Sequence, residues 1–179
     1  VTSTFYEWPV ANPRAVVQIA HGLGEHARRY DDLAAFLNRQ GFSVYADDHR
    51  GHGETGLAQL EVKQIKTLGN LGPGGMVATF EAVRKLSHLA REENPGLPLV
   101  LLGHSWGSFI AQKLLNKYSR EYDLAVLTGT TFTMPGTMAA FGFNKKWDGP
   151  QATGFEWLSR DPEVARAFVA DPKTFYADA

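Results

Sequence analysis

Short apolar runs alternate with segments of helical spacing over the first 130 residues. Four runs are typical of strands buried on both faces: 15–20, 42–46, 98–102 and 124–127. The segment 2–8 alternates polar and aromatic residues, as a half-buried edge strand does. Helical spacing predicts helices over 28–40, 76–90 and 105–118. Strands that alternate with helices indicate an α/β fold, with a mainly parallel sheet flanked by helices on both faces.

The periodic pattern is interrupted twice. Residues 47–56 are predicted to form a polar, glycine-rich loop, and 57–75 to be irregular. From about 132 to 179 no strand-like run follows, and the clearest helix is predicted over 161–170, with Asp161 as its N-cap. We therefore predict part of an α/β core over 1–131 and the start of a helical cap insertion over 132–179. The C-terminal strands of the core are expected to be missing from this chain.

Composition narrows the function classes. With 179 residues, 44% of them hydrophobic and 21% charged, the chain can form one ordinary folded domain. A net charge of -1 without blocks of like charge argues against a nucleic-acid partner, because phosphate binding needs a basic face. The absence of cysteine excludes disulfides and thiolate metal sites. No apolar run reaches the length of about 18 residues needed to span a bilayer, so a cytoplasmic location is predicted.

One serine is placed as a nucleophile would be. Ser105 lies in the sequence GHSWG, after an apolar strand and before a helix. A tight strand-to-helix turn lifts such a serine above the sheet edge, and Gly103 and Gly107 leave room for the neighbouring backbone. The adjacent helix N-terminus favours developing negative charge. The sequence predicts Ser105 as a catalytic nucleophile, with His104 as part of the turn. The alternative is that Ser105 only caps a helix.

A second turn is a candidate oxyanion hole. His21 and Gly22 follow the apolar strand 15–20, and a His-Gly turn there can aim the backbone amide of Leu23 at the point that the Trp106 amide faces. Two such donors would stabilise the negative charge of a tetrahedral intermediate. In this interpretation His21 and Gly22 support the turn. The alternative is a glycine-rich turn with a structural histidine.

The segment DHRGHG, residues 48–53, contains two histidines that suggest metal ligands. No further histidine or carboxylate completes a recognisable metal-ligand spacing, so no metal site is predicted. We expect instead a loop held by a network between Asp48 and Arg50.

Three segments together resemble a known family. The strings HGLGEHARRY, DDHRGHGET and GHSWGS are similar to those of monoacylglycerol lipases and lysophospholipases, in the serine aminopeptidase-like group of the α/β-hydrolase fold. The resemblance covers about 5–130 and continues more loosely to the end. It implies a cofactor-free serine hydrolase that cleaves acyl esters of glycerol or related alcohols. Ser105 matches the nucleophile and the amides of Leu23 and Trp106 match the oxyanion hole, although Trp106 replaces the usual methionine.

The predicted catalytic triad is incomplete. In this fold the nucleophile is followed along the chain by an acid and then by a histidine. All six histidines of this chain precede Ser105: His21, His26, His49, His52, His88 and His104. A serine without a base is a poor nucleophile. We therefore expect the acid and the base in a C-terminal remainder of the same protein.

An apolar cluster opens the predicted cap, and it consists of Phe132, Met134, Met138, Phe141 and Phe143. Such side chains suit the wall of an acyl-chain tunnel, and equally well ordinary packing of cap on core. The expected partner is a small lipid ester, with transient contact of the cap with a membrane surface. The competing hypothesis is a catalytically silent protein that uses the same cleft to bind a ligand.

Overall fold

A single five-stranded sheet organises the computed structural model, which describes residues 2–131, 143–147 and 149–176. The strand order is β1-β3-β2-β4-β5. The strands are β1 (Phe5–Trp8), β2 (Ala15–Ala20), β3 (Phe42–Asp47), β4 (Leu99–His104) and β5 (Leu124–Thr128). Strands β2 to β5 pair in parallel, and β1 is an antiparallel edge strand. The predicted mainly parallel sheet is therefore confirmed.

Helices connect the strands. They are α1 (Asp31–Arg39), α2 (Gly53–Glu61), α3 (Gly75–Glu93), α4 (Trp106–Tyr118) and α5 (Pro162–Ala170). Short 3-10 helices occur at Ala27–Tyr30, Ser119–Glu121, Lys145–Trp147 and Glu156–Leu158. The predicted N-cap of α5 is confirmed, since the Asp161 carboxylate accepts a hydrogen bond from the Glu163 amide at 2.9 Å. Among the described residues, no helix combines the length and the apolar character that crossing a bilayer requires.

The core lies on both faces of the sheet. Strand β2 is buried along its whole length, and its successive side chains point to opposite faces. Val16 packs in one cluster with side chains of α3 and α4, such as Leu86 and Ile110. Val17 and Ile19 pack in a second cluster that includes Ala34 of α1. Parallel pairing places the carboxyl ends of β2 and β4 side by side, where the two candidate turns begin.

Helix α2 corrects the prediction of a loop over 47–56 followed by an irregular segment. It begins at Gly53 and ends at Glu61. Its buried positions are Gly53, Thr55, Gly56 and Gln59, none of which is a large apolar residue. The helix packs through small and polar residues, and the sequence consequently lacks an apolar stripe of helical period.

Strand β5 also differs from its prediction as a buried strand. It lies at the edge of the sheet and pairs only with β4 in the part of the chain that the structure describes. The exposed fractions of Leu124 and Val126 are 53% and 38%. An apolar sequence predicted the strand correctly, but the sequence pattern does not specify which neighbours cover it.

Asp48 and Arg50 do not form the predicted network with each other. The Asp48 carboxylate accepts hydrogen bonds from the Ala27 amide, the Tyr6 hydroxyl and the Glu54 amide. Arg50 donates instead to the carbonyls of Leu71 and Pro73. Asp48 therefore ties strand β1, the turn before α1 and the start of α2 to one buried carboxylate.

Replacement of this carboxylate tests its structural weight. We expect Asp48→Ala to lower the free energy of unfolding by about 3–5 kcal/mol, because it leaves two backbone amides and one hydroxyl without their acceptor. Asp32→Ala, at an exposed position in the first turn of α1, is the control and should cost less than about 1 kcal/mol. Urea denaturation measures both. Equal losses would contradict the role given to Asp48.

Candidate active site

Ser105 occupies a strained turn between β4 and α4. Its backbone has φ +50° and ψ −119°, a conformation that L-residues rarely adopt. The turn is held from both sides. The Ser105 amide donates to the Thr128 carbonyl of β5 at 2.9 Å, and the Ser105 carbonyl accepts from the Ser108 amide at 2.8 Å. The strain is therefore balanced by fixed hydrogen bonds to β5 and to the first turn of α4.

Glycines let this turn approach its neighbours. A Cβ on Gly103 would lie 2.7 Å from the Gly107 carbonyl oxygen, and a Cβ on Gly107 would collide with the Ala20 carbonyl oxygen. A Cβ on Gly22 would lie 3.3 Å from the Cβ of Ser105. The structure thus brings together the two turns that the sequence singled out.

His21 fixes the direction of the Leu23 amide. The His49 amide donates to His21 Nε2 at 3.0 Å, so His21 Nδ1 carries the ring hydrogen and donates to the Gly22 carbonyl at 2.8 Å. The N–H of Leu23 belongs to the same planar trans peptide as that carbonyl and points in the opposite direction. The donor-acceptor pair from His21 therefore orients the Leu23 N–H through the peptide plane.

The amides of Leu23 and Trp106 are available to an incoming group. In the described part of the chain, the Leu23 amide has no backbone acceptor. Trp106 is the first residue of α4, where the helix itself offers no acceptor to the amide. The Gly22 amide, by contrast, is occupied by the carboxylate of Glu25 at 2.6 Å.

Glu25 and Tyr30 are anchors of the turn that sequence reasoning missed. We call residues 22–26, which contain the candidate oxyanion donor Leu23, the oxyanion loop. The Glu25 carboxylate accepts from the Gly22 amide and from the Tyr30 hydroxyl at 2.7 Å. Burial, and then the neighbouring Glu25 carboxylate, raises the pKa of Tyr30, so its hydroxyl stays a donor. Both residues stand in the string HGLGEHARRY, and its resemblance to the family's string was the one signal available.

Three histidine rings fill the space beneath the two turns. His21 stacks on His49 with ring centroids 3.9 Å apart, and His52 stacks on Trp106 at 5.0 Å. His49 Nδ1 donates to the buried Asp47 carboxylate at 3.0 Å. Burial lowers the pKa of His21 well below its usual value and that of His52 to about 3. Both rings are therefore neutral near pH 7 and pack as a polar core under the site.

None of the six histidines forms a hydrogen bond with Ser105. Each one bonds to another group: His21 to Gly22, His26 to Asp171, His49 to Asp47, His52 to Arg50, His88 to Glu121 and His104 to Thr128. His104 Nδ1 lies 3.0 Å from the Thr128 hydroxyl, so the His104 side chain is directed towards β5. The described residues thus contain a serine turn and candidate oxyanion donors, but no histidine bonded to Ser105.

The predicted substrate pocket is largely untested. Phe132, Met134, Met138 and Phe141 lie outside the described residues. Phe143 is half exposed and stacks on Trp157, with ring centroids 4.8 Å apart. Within the described residues, no three His, Asp or Glu side chains are grouped to hold a metal ion.

Comparisons with known proteins agree on one family. The family model for serine aminopeptidase, S33, matches residues 11–177. The chain is 34% identical over 172 residues to a monoacylglycerol lipase of Mycolicibacterium smegmatis, covering 92% of this chain and 58% of that protein. It is 33% identical over 106 residues to the monoglyceride lipase of Homo sapiens, covering 59% of this chain and 31% of that protein.

Structural comparison extends the likeness. A thermostable carboxyl esterase from Bacillus coagulans, solved in complex with glycerol, superposes with a TM-score of 0.82 at 27% identity. The superposition covers 98% of this chain and 63% of the esterase. The chain therefore spans less than two thirds of the length of each of these proteins.

The buried histidines make stability depend on pH. An unfolded histidine has a pKa of about 6.5, so below that pH the unfolded chain binds protons that folded His21 and His52 exclude. Stability present at pH 7 should fall as the pH drops below about 6.5, by up to about 1.4 kcal/mol per pH unit for each such histidine.

Urea denaturation at pH 7, 6 and 5 measures this dependence. We expect His52→Gln to flatten the slope, because glutamine takes up no proton in either state. An unchanged slope in His52→Gln would show that His52 takes up protons equally in the folded and unfolded states.

Proposed function

The chain belongs to the serine aminopeptidase S33 family and has the α/β-hydrolase fold, and from this premise we propose that it carries the nucleophile and the oxyanion hole of a serine carboxylester hydrolase. The substrates are monoacylglycerol-like or lysophospholipid esters. Its likeness to a monoacylglycerol lipase and to a carboxyl esterase supports this substrate class.

One observation carries the proposal. A strained serine turn and a peptide plane oriented by a neutral histidine converge at Gly22, where a Cβ would lie 3.3 Å from that of Ser105. A helix N-cap needs neither the positive φ nor a second turn placed against it. The arrangement is the one that acyl transfer requires, with a nucleophile beside preorganised N–H donors.

The reaction proceeds in two steps. Ser105 Oγ attacks the ester carbonyl carbon, and its proton passes to a base outside the described residues. The carbonyl oxygen becomes an oxyanion that accepts hydrogen bonds from the Leu23 and Trp106 amides, at the positive end of the α4 dipole. Collapse of the tetrahedral intermediate expels the alcohol and leaves an acyl ester on Ser105. Water then hydrolyses this ester by the same route.

The base and its acid belong to a part of the protein beyond these residues, since all six histidines of the chain have other partners. Residues 132–179 form the start of the cap. Its apolar side chains, Phe143 among them, border the acyl chain and contact a membrane surface transiently. The chemistry needs no cofactor.

Covalent labelling tests the proposal. We expect a fluorophosphonate to add once to the full-length protein, with the adduct on the peptide that contains Ser105. Ser105→Ala should abolish labelling, whereas Ser119→Ala, at an exposed serine past the end of α4, should label normally. Mass spectrometry of the intact and digested protein measures both.

A full-length protein that does not react would contradict an activated serine. The competing hypothesis, a protein of the same fold that binds a ligand without cleaving it, would then be favoured.

A further inference from the structure

A short segment after α5 packs directly on the oxyanion loop. We call residues 171–176 the strap. The Phe175 amide donates to the Gly24 carbonyl at 3.0 Å. Gly24 has φ +78°, and a Cβ there would lie 2.6 Å from the Phe175 carbonyl oxygen. The strap backbone therefore fits against the loop one residue beyond Leu23, at a position that admits only glycine.

A side-chain pair fixes the other end of the loop. His26 Nε2 bonds to the Asp171 carboxylate at 2.8 Å, and the exposed fraction of His26 is only 4%. The second Asp171 oxygen accepts from the Lys173 amide at 2.9 Å, which holds the carboxylate in place. His26 follows Glu25, whose carboxylate occupies the Gly22 amide. Movement of His26 would thus be transmitted to the peptide that bears the Leu23 N–H.

We propose that Asp171 and His26 are positioning residues for ester hydrolysis, which hold the oxyanion loop so that the Leu23 amide meets the developing oxyanion. This inference rests on the proposed function. His21 orients the peptide from below, and the pair with Asp171 holds the loop from the cap side. Asp171, which lies well after Ser105 in the chain, therefore helps to fix the loop next to Ser105.

The effect should appear in kcat. The oxyanion exists only after attack, so loss of its donor geometry weakens binding of the transition state more than binding of the substrate. Removal of a whole oxyanion donor costs about 10²–10³ in kcat. Loss of an anchor that positions a donor should cost less, about 10-fold or more.

The strap offers its own control. Lys173 Nζ lies 2.5 Å from the Glu54 carboxylate and joins the strap to α2 without contacting residues 22–26 through this pair. Both side chains are partly exposed, and such surface pairs contribute little to stability. Lys173→Ala removes a contact of the strap and leaves the contacts with Gly24 and His26 intact.

The experiment measures hydrolysis of p-nitrophenyl butyrate by the full-length protein and its variants. We expect Asp171→Ala and His26→Ala each to lower kcat about 10-fold or more, with KM changed less than about threefold. The double variant should be no slower than the slower single variant, because both remove one interaction. Asp171→Asn should recover most of the rate, since its amide can still bond to His26. Lys173→Ala should stay within about twofold.

Several outcomes would overturn the inference: an unchanged kcat in both alanine variants, an effect confined to KM, or an equal loss in Lys173→Ala. If an alanine variant does not fold, as judged by circular dichroism, Asp171→Ser and His26→Ser, whose side chains are too short to restore the bond, supply the comparison, with the same loss of kcat expected. A wild-type protein that neither hydrolyses the ester nor reacts with a fluorophosphonate would contradict the proposed function itself, which separates the two failures.

Discussion

The hydrogen bond from His21 Nδ1 to the Gly22 carbonyl is the interaction on which the rest of the site depends. Because the peptide between Gly22 and Leu23 is planar and resists twisting, the orientation of the buried His21 ring fixes the direction of the Leu23 N–H. The ring stays a donor at Nδ1 because the His49 amide occupies Nε2 and burial keeps the imidazole neutral. The fold supports this bond by aligning the ends of β2 and β4.

Much of the fold could be predicted because its signals are local. The strand over 15–20 and the N-cap at Asp161 depend on neighbouring residues, and the structure has both as predicted. Helix α2 was missed because Thr55 and Gln59, rather than apolar side chains, face the protein interior. The predicted pairing of Asp48 with Arg50 was wrong for a related reason. Charged residues close in sequence need not contact each other, and backbone amides donate to the Asp48 carboxylate instead.

The site was predictable only in part, because its geometry depends on contacts distant in sequence. The serine turn carries a local pattern, yet its amide is held by Thr128 of another strand. His26 and Asp171 are 145 positions apart, and nothing in either neighbourhood indicates the other. The positions of the histidines indicated that the triad is incomplete in this chain. All six precede Ser105 in the sequence, and in the structure each is hydrogen-bonded to another residue. Whether Ser105 and the two amides act as proposed stays a prediction.

A crystal structure of the full-length protein with an alkyl phosphonate on Ser105 tests the central claim most directly. The phosphonyl oxygen occupies the place of the oxyanion in the tetrahedral intermediate. We predict that it lies about 2.7–3.1 Å from both the Leu23 and the Trp106 amide nitrogens, with the His21 bond to Gly22 retained. An adduct whose oxygen points to solvent, or to donors other than these two amides, would contradict the account.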